Sequence, residues 1–244
     1  MRRGSGPQVS VVLPFRNAAS TLGECLDSIG SQSFQRFELI AVDDGSEDDS
    51  GRLIQAYAAK DARIRLIQRG RLGLVGALNL GVALAHSPLV ARMDADDVMH
   101  PDRLGAQRQF MMRRPGLALA GCQVEMFPQS SIMAGNREYI RWQNGCLTSR
   151  QIADNLYVES PFAHPSVMIR REVFERVGGY KHGDFPEDYE LWLRMAESDC
   201  KMAKQPRTLL RWRERPQRLS RTDPRYSREA FDRLRALYLA RDPR

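Results

Sequence analysis

Residues 88–97 read PLVARMDADD, a short apolar run that ends in three closely spaced carboxylates. The apolar part predicts a buried strand over 89–93, which places Asp94, Asp96 and Asp97 at the carboxyl end of that strand. In open α/β sheets, ligands bind at this edge. Three such carboxylates repel one another without a cation, and oxygen ligands on a short turn suit Mg²⁺ or Mn²⁺. The alternative interpretation is an acidic surface loop, or a turn whose aspartates cap the next helix.

Alternating strands and helices precede this stretch. The run VSVVL at 9–13 stops at Pro14 and predicts a first buried strand. The following helix is predicted to open on a capping box formed by Thr21 and Glu24. Further elements are predicted as strands at 37–42 and 64–67 and as helices around 53–58 and 74–85. This β-α-β-α order predicts an α/β protein with a Rossmann-like, mostly parallel central sheet that is flanked by helices.

The regular alternation weakens beyond Pro101, which predicts a smaller mixed region. An irregular stretch is expected over 125–148. The elements predicted around it are a helix to about 113, strands at 117–124 and 167–169, and helices at 187–197 and 226–240. With 244 residues, the chain is long enough for one large α/β domain or two small ones.

Charge is distributed unevenly along the chain. The net charge is +7, yet residues 1–206 hold 25 basic and 25 acidic side chains, whereas residues 207–244 hold 12 arginines and five acids. An Arg-rich tail can contact phosphates or anionic lipid, or it can be a solvated helix face. We expect no nucleic-acid partner, because the chain offers no aromatic platform or recognised module.

Hydropathy and cysteine usage predict a cytoplasmic protein. No apolar run approaches the roughly 18 residues of a membrane span, and no secretory h-region stands at the start. The four cysteines are far apart and form no Cys-x-x-Cys pair, which is typical of reduced thiols.

A second acidic pair, Asp43 and Asp44, follows the second predicted strand. Acids at this position can accept hydrogen bonds from ribose hydroxyls or from a nucleobase N–H. An Asx-turn that starts the next helix is an equal alternative. The first strand leads into Pro14-Phe15-Arg16-Asn17 rather than a glycine-rich loop, which argues against a dinucleotide fingerprint.

A third pair, Glu187 and Asp188, opens a predicted helix. The helix dipole and free N–H groups at that end keep a carboxylate ionised, and an ionised carboxylate can take a proton from an attacking hydroxyl. Taken alone, the same pair indicates a well-capped helix.

Several segments in order resemble one known family. These segments are VSVVLPFRN, FELIAVDDGSEDDS, GLVGALNLGVALA, ARMDADDVMHPDRL, HPSVMIRREVFERVGGY and PEDYELWLRM. Over roughly residues 8–215 they make the chain similar to family 2 inverting glycosyltransferases, the nucleotide-diphospho-sugar transferases with the GT-A fold.

The resemblance implies a role for individual side chains. Asp188 would be the general base, with Glu187 as the second candidate. Asp94, Asp96 and Asp97 would bind Mn²⁺ or Mg²⁺. The donor nucleotide would be contacted by Pro14, Phe15, Arg16, Asp43, Asp44, Asn79, Asp94 and Ala95.

The sequence departs from the family pattern at two places. Many relatives carry an Arg before the Asn of the third helix, where this chain has Leu78-Asn79. Some relatives have a His after the penultimate strand, where this chain has Arg213-Glu214-Arg215. A histidine metal ligand there is therefore not expected, and Arg213 and Arg215 become candidate contacts to the diphosphate.

The resemblance also implies a division of the chain and a reaction. A GT-A unit over 1–215 would have a nucleotide-binding half at about 8–97 and an acceptor half at about 98–215, followed by a basic helical tail at 216–244. It would transfer a sugar with inversion from a UDP- or GDP-linked donor to a saccharide or lipid-linked acceptor, in polysaccharide or glycoconjugate synthesis. The placement of the excess positive charge, and not the resemblance, predicts that arginines of the tail close on the donor diphosphate, while the helix at 226–240 packs on the domain or on the inner face of the membrane.

Two other functions fit parts of the pattern. Asp94-Ala95-Asp96-Asp97-Val98 also matches the motif of haloacid-dehalogenase-type phosphatases, with Asp94 as nucleophile and Asp96 as acid/base. That motif usually follows the first strand of its fold, whereas three β-α units precede it here. A non-catalytic subunit that binds sugar nucleotides is the other alternative.

Overall fold

The computed structural model describes residues 6–216 and 218–241. The remaining positions of the predicted 1–215 unit and 216–244 tail (1–5, 217 and 242–244) lie outside the described residues. The strands are β1 (Val9–Phe15), β2 (Phe37–Asp43), β3 (Ile64–Gln68), β4 (Leu89–Arg92), β5 (Val98–Met99), β6 (Leu117–Phe127), β7 (Met168–Arg170) and β8 (Lys201–Arg213).

Helices connect and cover these strands. They are α1 (Ala19–Gly30), α2 (Ser50–Ala58), α3 (Gly73–Ala83), α4 (Arg103–Met112), α5 (Ala134–Gly145), α6 (Ser149–Asn155), α7 (Arg171–Arg176), α8 (Glu187–Glu197), α9 (Leu219–Thr222) and α10 (Arg228–Leu239). Three short 3₁₀ turns lie at Gln129–Ser131, His164–Ser166 and Pro224–Tyr226. Among the described residues, no helix has both the length and the apolar character needed to cross a bilayer.

The eight strands found among the described residues form one sheet in the order β3-β2-β1-β4-β7-β6-β8-β5. The first four strands in this order run parallel, as the β-α alternation predicts. β7 is antiparallel to both β4 and β6, and β5 is antiparallel to β8. Every residue of β1 and β2 is buried, because helices cover both faces of a parallel sheet. The predicted α/β class with a smaller mixed region is therefore confirmed.

The long pair β6 and β8 extends the sheet toward the C-terminal side. The two strands run parallel over ten paired positions, with register shifts near Cys122 and Gln123. The pairing moves from Gln205 to Thr208, so Pro206 lies in the irregular part, where its missing N–H breaks no ladder hydrogen bond. β8 thereby delivers Arg213 to the edge of the sheet where the loop after β4 lies.

Two local expectations from the sequence are wrong. Residues 134–145, expected to be irregular, form helix α5. Gln143 is its only fully buried residue, and Ile140 and Trp142 are partly buried against the core, so the apolar face of this helix is short. The capping box at Thr21 and Glu24 does not form, because α1 begins earlier, with Ala18 at its N-cap.

The free main-chain N–H groups at the start of α1 are instead hydrogen-bonded by side chains of the segment that follows β2. The main-chain N–H groups of residues 17, 18 and 19 donate to the side chains of Ser46, Ser50 and Asp48 at 2.8–3.1 Å. Thr21 Oγ1 donates to the carbonyl of Ala95 at 3.1 Å. These contacts fasten the carboxyl ends of β1, β2 and β4 to one another.

Candidate active site

The three carboxylates after β4 converge as predicted. One oxygen from each of Asp94, Asp96 and Asp97 lies within 4.8 Å of the others. Asp97 is buried, and its Oδ1 accepts the Arg213 main-chain N–H at 2.7 Å. Its Oδ2 is buried without a hydrogen-bond partner among the described residues. Burial raises the pKa of Asp97 well above its usual range, and the charges of Asp94 and Asp96 add to this shift.

This cluster fits a divalent cation. A buried carboxylate oxygen without a partner is costly, and a cation would both coordinate it and relieve the repulsion among the three acids. Oxygen-only donors match the preference of Mg²⁺ and Mn²⁺.

Arginines flank the acidic cluster on two sides. Arg92, buried on β4, forms an ion pair with Asp94. Arg215 Nε lies 2.9 Å from Asp96 Oδ2. Burial and the charge of Asp94 nevertheless raise the pKa of Asp96, outweighing the opposite effect of Arg215.

Arg213 has structural partners. Its Nε donates to the Asp96 carbonyl at 2.6 Å, its guanidinium pairs with Glu24, and it stacks over the Phe127 ring at 4.3 Å. These contacts fasten the end of β8 to the acidic loop.

The second acidic pair is engaged with main-chain groups. Asp44 Oδ1 accepts N–H groups from Leu72 at 2.5 Å and Gly73 at 2.8 Å, which caps the start of α3. Asp43 Oδ1 accepts the N–H of Ser46, three residues further along, at 2.8 Å. Neither acid starts the next helix, which begins at Ser50, and a contact with the nucleotide stays a prediction for both residues.

The remaining predicted nucleotide contacts lie at the same edge of the sheet. Pro14 and Phe15 are buried at the end of β1, where Phe15 is paired with Asp43. Arg16 follows them, is exposed, and lies 3.9 Å from Glu47. Ala95 is buried within the acidic loop.

Asn79 has a structural role that was not predicted from the sequence. Its amide donates to the Tyr180 carbonyl at 2.9 Å and accepts the Tyr180 N–H at 3.0 Å. Gly179 has φ +66°, and a Cβ there would lie 2.8 Å from Asn79 Oδ1. The amide thus holds the turn after α7, and its geometry lends no support to a nucleotide contact, which stays a prediction.

Glu187 and Asp188 begin helix α8 as predicted, but their environments differ. Glu187 is 2% exposed, and both of its oxygens are engaged: Tyr226 donates its hydroxyl to Oε2 at 2.5 Å, and His164 Nδ1 lies 3.4 Å from Oε1. Burial alone would raise the pKa of Glu187, but His164 and Tyr226 outweigh it and lower that pKa.

Asp188 has the opposite character. It is partly exposed, and one of its oxygens accepts the N–H of Tyr189 at 2.8 Å. Burial and the charge of Glu187 together raise the pKa of Asp188 to about 6, against the opposing effects of His164, Arg92 and the hydrogen bond from Tyr189. A carboxylate with such a pKa is ionised at neutral pH yet basic enough to accept a proton.

A single cleft of about 490 Å³ joins the acidic cluster to the start of α8. Asp94, Asp96, Glu187, Asp188 and Arg215 all line it. The predicted nucleotide residues after β1 and β2 do not border this cleft. The structure thus brings Asp94, Asp96, Glu187 and Asp188 into one cleft and leaves residues 14–16, 43 and 44 outside it.

Among the cleft residues that sequence reasoning missed are His164, Glu214 and Tyr226. His164 opens the segment HPSVMIRREVF, and its position there was the only available signal. Glu214 is buried and forms ion pairs with Arg218 and Arg221. No local pattern distinguishes Tyr226, because its partner Glu187 lies 39 residues away.

Comparison with known proteins agrees with this geometry. The model of a family described as "Glycosyl transferase family 2" matches residues 10–178. The chain belongs to glycosyl transferase family 2. This glycosyltransferase is 29% identical over 206 residues to the amylovoran biosynthesis glycosyltransferase AmsE of Erwinia amylovora, covering 84% of this chain and 75% of that protein.

Two solved structures share the fold. S. aureus TarS 1–349 in complex with UDP-GlcNAc superposes with a TM-score of 0.76 at 16% identity, over 97% of this chain and 68% of that one. The mannosyltransferase PcManGT from Pyrobaculum calidifontis, in complex with GDP-Man and Mn²⁺, gives a TM-score of 0.68 at 20% identity, over 98% of this chain and 66% of that one. These likenesses confirm the predicted GT-A architecture. Neither the phosphatase nor the non-catalytic alternative is favoured, since the relatives are glycosyltransferases.

Proposed function

We propose that this glycosyltransferase moves a sugar, with inversion, from a nucleotide-diphospho-sugar to a hydroxyl of a saccharide or lipid-linked acceptor. The observation that carries the proposal is the shared cleft, which has a cation-type carboxylate cluster at one end and Asp188 at the other. Such a transferase needs a base to take the proton of the acceptor hydroxyl and a cation site to neutralise the charge of the leaving group, and the cleft offers candidates for both.

The acidic end would hold Mn²⁺ or Mg²⁺ through Asp94, Asp96 and Asp97. A bound cation would supply charge neutralisation for the departing nucleoside diphosphate. Arg215, which pairs with Asp96, is the arginine best placed to meet the diphosphate as well. Arg213 is less suited, since its guanidinium is engaged by Glu24 and the Asp96 carbonyl.

At the other end, Asp188 takes the proton of the acceptor hydroxyl as the oxygen attacks the anomeric carbon. The carbon–oxygen bond to the diphosphate breaks at the same centre, from the opposite side, so the configuration inverts. Orienting both reactants within one cleft contributes much of the acceleration. Glu187 is the weaker candidate because both of its oxygens are engaged.

A UDP- or GDP-linked donor is the preferred choice. TarS is described with UDP-GlcNAc and PcManGT with GDP-Man and Mn²⁺. Asp43, Asp44, Asn79 and the segment at 14–16 are the residues we assign to the donor nucleotide, together with Asp94 and Ala95.

The decisive experiment is a donor panel with and without metal. Purified protein is incubated with UDP- and GDP-linked sugars, and release of nucleotide is followed with Mn²⁺, with Mg²⁺ and with a chelator. We expect turnover of one donor class that depends on the cation and disappears in Asp96→Ala. Equal turnover with chelator and with cation would remove the metal from the proposal, and no turnover of any donor would remove the reaction.

The cellular setting is a separate part of the proposal. We propose a cytoplasmic enzyme that meets a lipid-linked acceptor at the membrane surface through its arginine-rich tail. Co-sedimentation with anionic vesicles tests this contact. Arg228→Ala is an informative variant because the Arg228 side chain is 89% exposed.

A further inference from the structure

A buried hydrogen-bond network lies directly behind the candidate base. Glu187 is its centre, with Tyr226 on one oxygen and His164 beside the other. His164 continues the network, since its Nε2 lies 2.7 Å from the Tyr180 hydroxyl. The rings of His164 and Trp192 pack edge to face, with centroids 6.1 Å apart. The carboxyl group of Glu187 is therefore held from several sides.

Tyr226 reaches this network from the C-terminal part of the chain. It belongs to the strap, which we define as residues 213–216 and 218–226. Arg215 of the strap pairs with Asp96, and Arg218 and Arg221 both pair with the buried Glu214. The strap thus runs from the acidic cluster to the start of α8 and ends there on the hydrogen bond from Tyr226 to Glu187.

We propose that Tyr226 is a positioning residue for the transfer step: with His164 it holds Glu187, and Glu187 in turn keeps the adjacent Asp188 facing the cleft. This inference rests on the proposed function. Glu187 and Asp188 are the first two residues of α8, so contacts that anchor Glu187 also fix the main chain from which Asp188 projects. A misplaced base costs rate even when the substrate still binds.

The chain offers a matched control in Tyr238. Its hydroxyl also reaches from the C-terminal segment to a buried glutamate of α8, donating to Glu190 at 2.8 Å. Glu190 is further held by Arg194 at 2.6 Å and does not border the cleft. Tyr226→Phe and Tyr238→Phe therefore delete equivalent hydroxyl groups at a functional and at a structural position.

The test compares the two variants with the wild type. We expect Tyr226→Phe to lower kcat about 10-fold while the donor KM stays within about twofold, and Tyr238→Phe to leave both constants unchanged. Hydrogen–deuterium exchange at residues 187–190 should quicken in Tyr226→Phe without any substrate. His164→Gln should resemble Tyr226→Phe.

Each other outcome has a definite meaning. Unchanged kcat and exchange in Tyr226→Phe, or equal losses in both tyrosine variants, would overturn the positioning role. A wild type that transfers no sugar would overturn the proposed function alone, because the exchange comparison would still decide whether Tyr226 holds the start of α8.

Discussion

Single residues with similar chemistry acquire different properties in this cleft. Glu187 and Asp188 are neighbours and both acids, yet one is surrounded by donors and the other is desolvated beside a negative charge. Their pKa values therefore move in opposite directions. Pairs of acids with separated pKa values are typical of sites that move protons.

Replacing Asp188 by Asn keeps the shape of the side chain and removes its basicity. Transfer should fall by about 10²–10⁴-fold while the donor still binds. Single-turnover transfer and calorimetric titration of the donor measure the two effects separately. Glu187→Gln should lose less activity than Asp188→Asn, and the reverse ranking would move the base to Glu187.

The raised pKa of Asp188 predicts how the rate depends on pH. The carboxylate is the active form, so kcat at saturating donor and cation should fall as the pH drops through about 6. Below that value the loss should approach about tenfold per pH unit. A kcat profile that stays flat down to about pH 5 would contradict the assignment of a base with a raised pKa.

At the scale of elements, the end of β8 and the loop after β4 form one unit. The main chain of Arg213 binds Asp97, and the side chains of Arg213 and Arg215 bind Asp96. Because these bonds join the loop to the strap, cation binding and strap position should depend on each other.

Arg215 and a cation would compete for Asp96. Arg215→Ala should therefore bind Mn²⁺ more tightly in the absence of nucleotide, by up to about fivefold, as expected for the loss of one ion pair. The same variant should bind a nucleoside diphosphate more weakly in the presence of Mn²⁺. Titration calorimetry or electron paramagnetic resonance of Mn²⁺ measures both effects.

Arg211→Ala is the control for this variant, because Arg211 pairs with the exposed Glu125 on the same pair of strands. It should leave both affinities unchanged. Weaker Mn²⁺ binding in Arg215→Ala without nucleotide would show that Arg215 supports the cation instead of competing with it.

At the scale of the whole molecule, the C-terminal helix is part of the packed structure. Ala230, Leu234 and Tyr238 of α10 are buried, and Phe231 packs against Tyr189 with ring centroids 5.1 Å apart. On the opposite side of α10, Leu237 and Leu239 are exposed, as are Arg228 and Arg233. The boundary predicted between residues 215 and 216 remains a prediction, although the tail helix adds to the core beside α8.

Because only one side of α10 packs on the core, we expect two leucines of this helix to differ strongly in their contribution to the free energy of unfolding. Leu234 is 4% exposed and Leu237 is 48% exposed. Leu234→Ala should reduce the free energy of unfolding by about 3 kcal/mol, and Leu237→Ala by less than about 0.5 kcal/mol. Urea unfolding measures both values, and equal effects would mean that the helix does not pack on the domain in solution.

Local sequence patterns were sufficient to predict many of the strands, helices and candidate site residues of this protein. The apolar runs of β1, β2 and β4, the alternation with helices, the acids after β4 and the start of α8 at Glu187 could all be read from adjacent residues. This is because strand and helix periodicity, and the position of an acid at an element's end, are properties of short segments. Helix α5 was missed since its few apolar residues, such as Ile140 and Trp142, are only partly buried and stand among many polar ones.

The other features of the site depend on contacts between segments that are distant in the sequence. Three features depend on residues that are 23 or more positions apart: the capping of α3 by Asp44, the bond between Asn79 and Tyr180, and the contacts that distinguish Glu187 from Asp188. No local pattern specifies such pairs, because burial and hydrogen bonding depend on which surfaces meet after the chain has folded. The acids at the sheet edge could thus be identified from the sequence alone. Tyr226 and His164 could be identified only from the tertiary structure, because folding brings both of them from distant segments to Glu187.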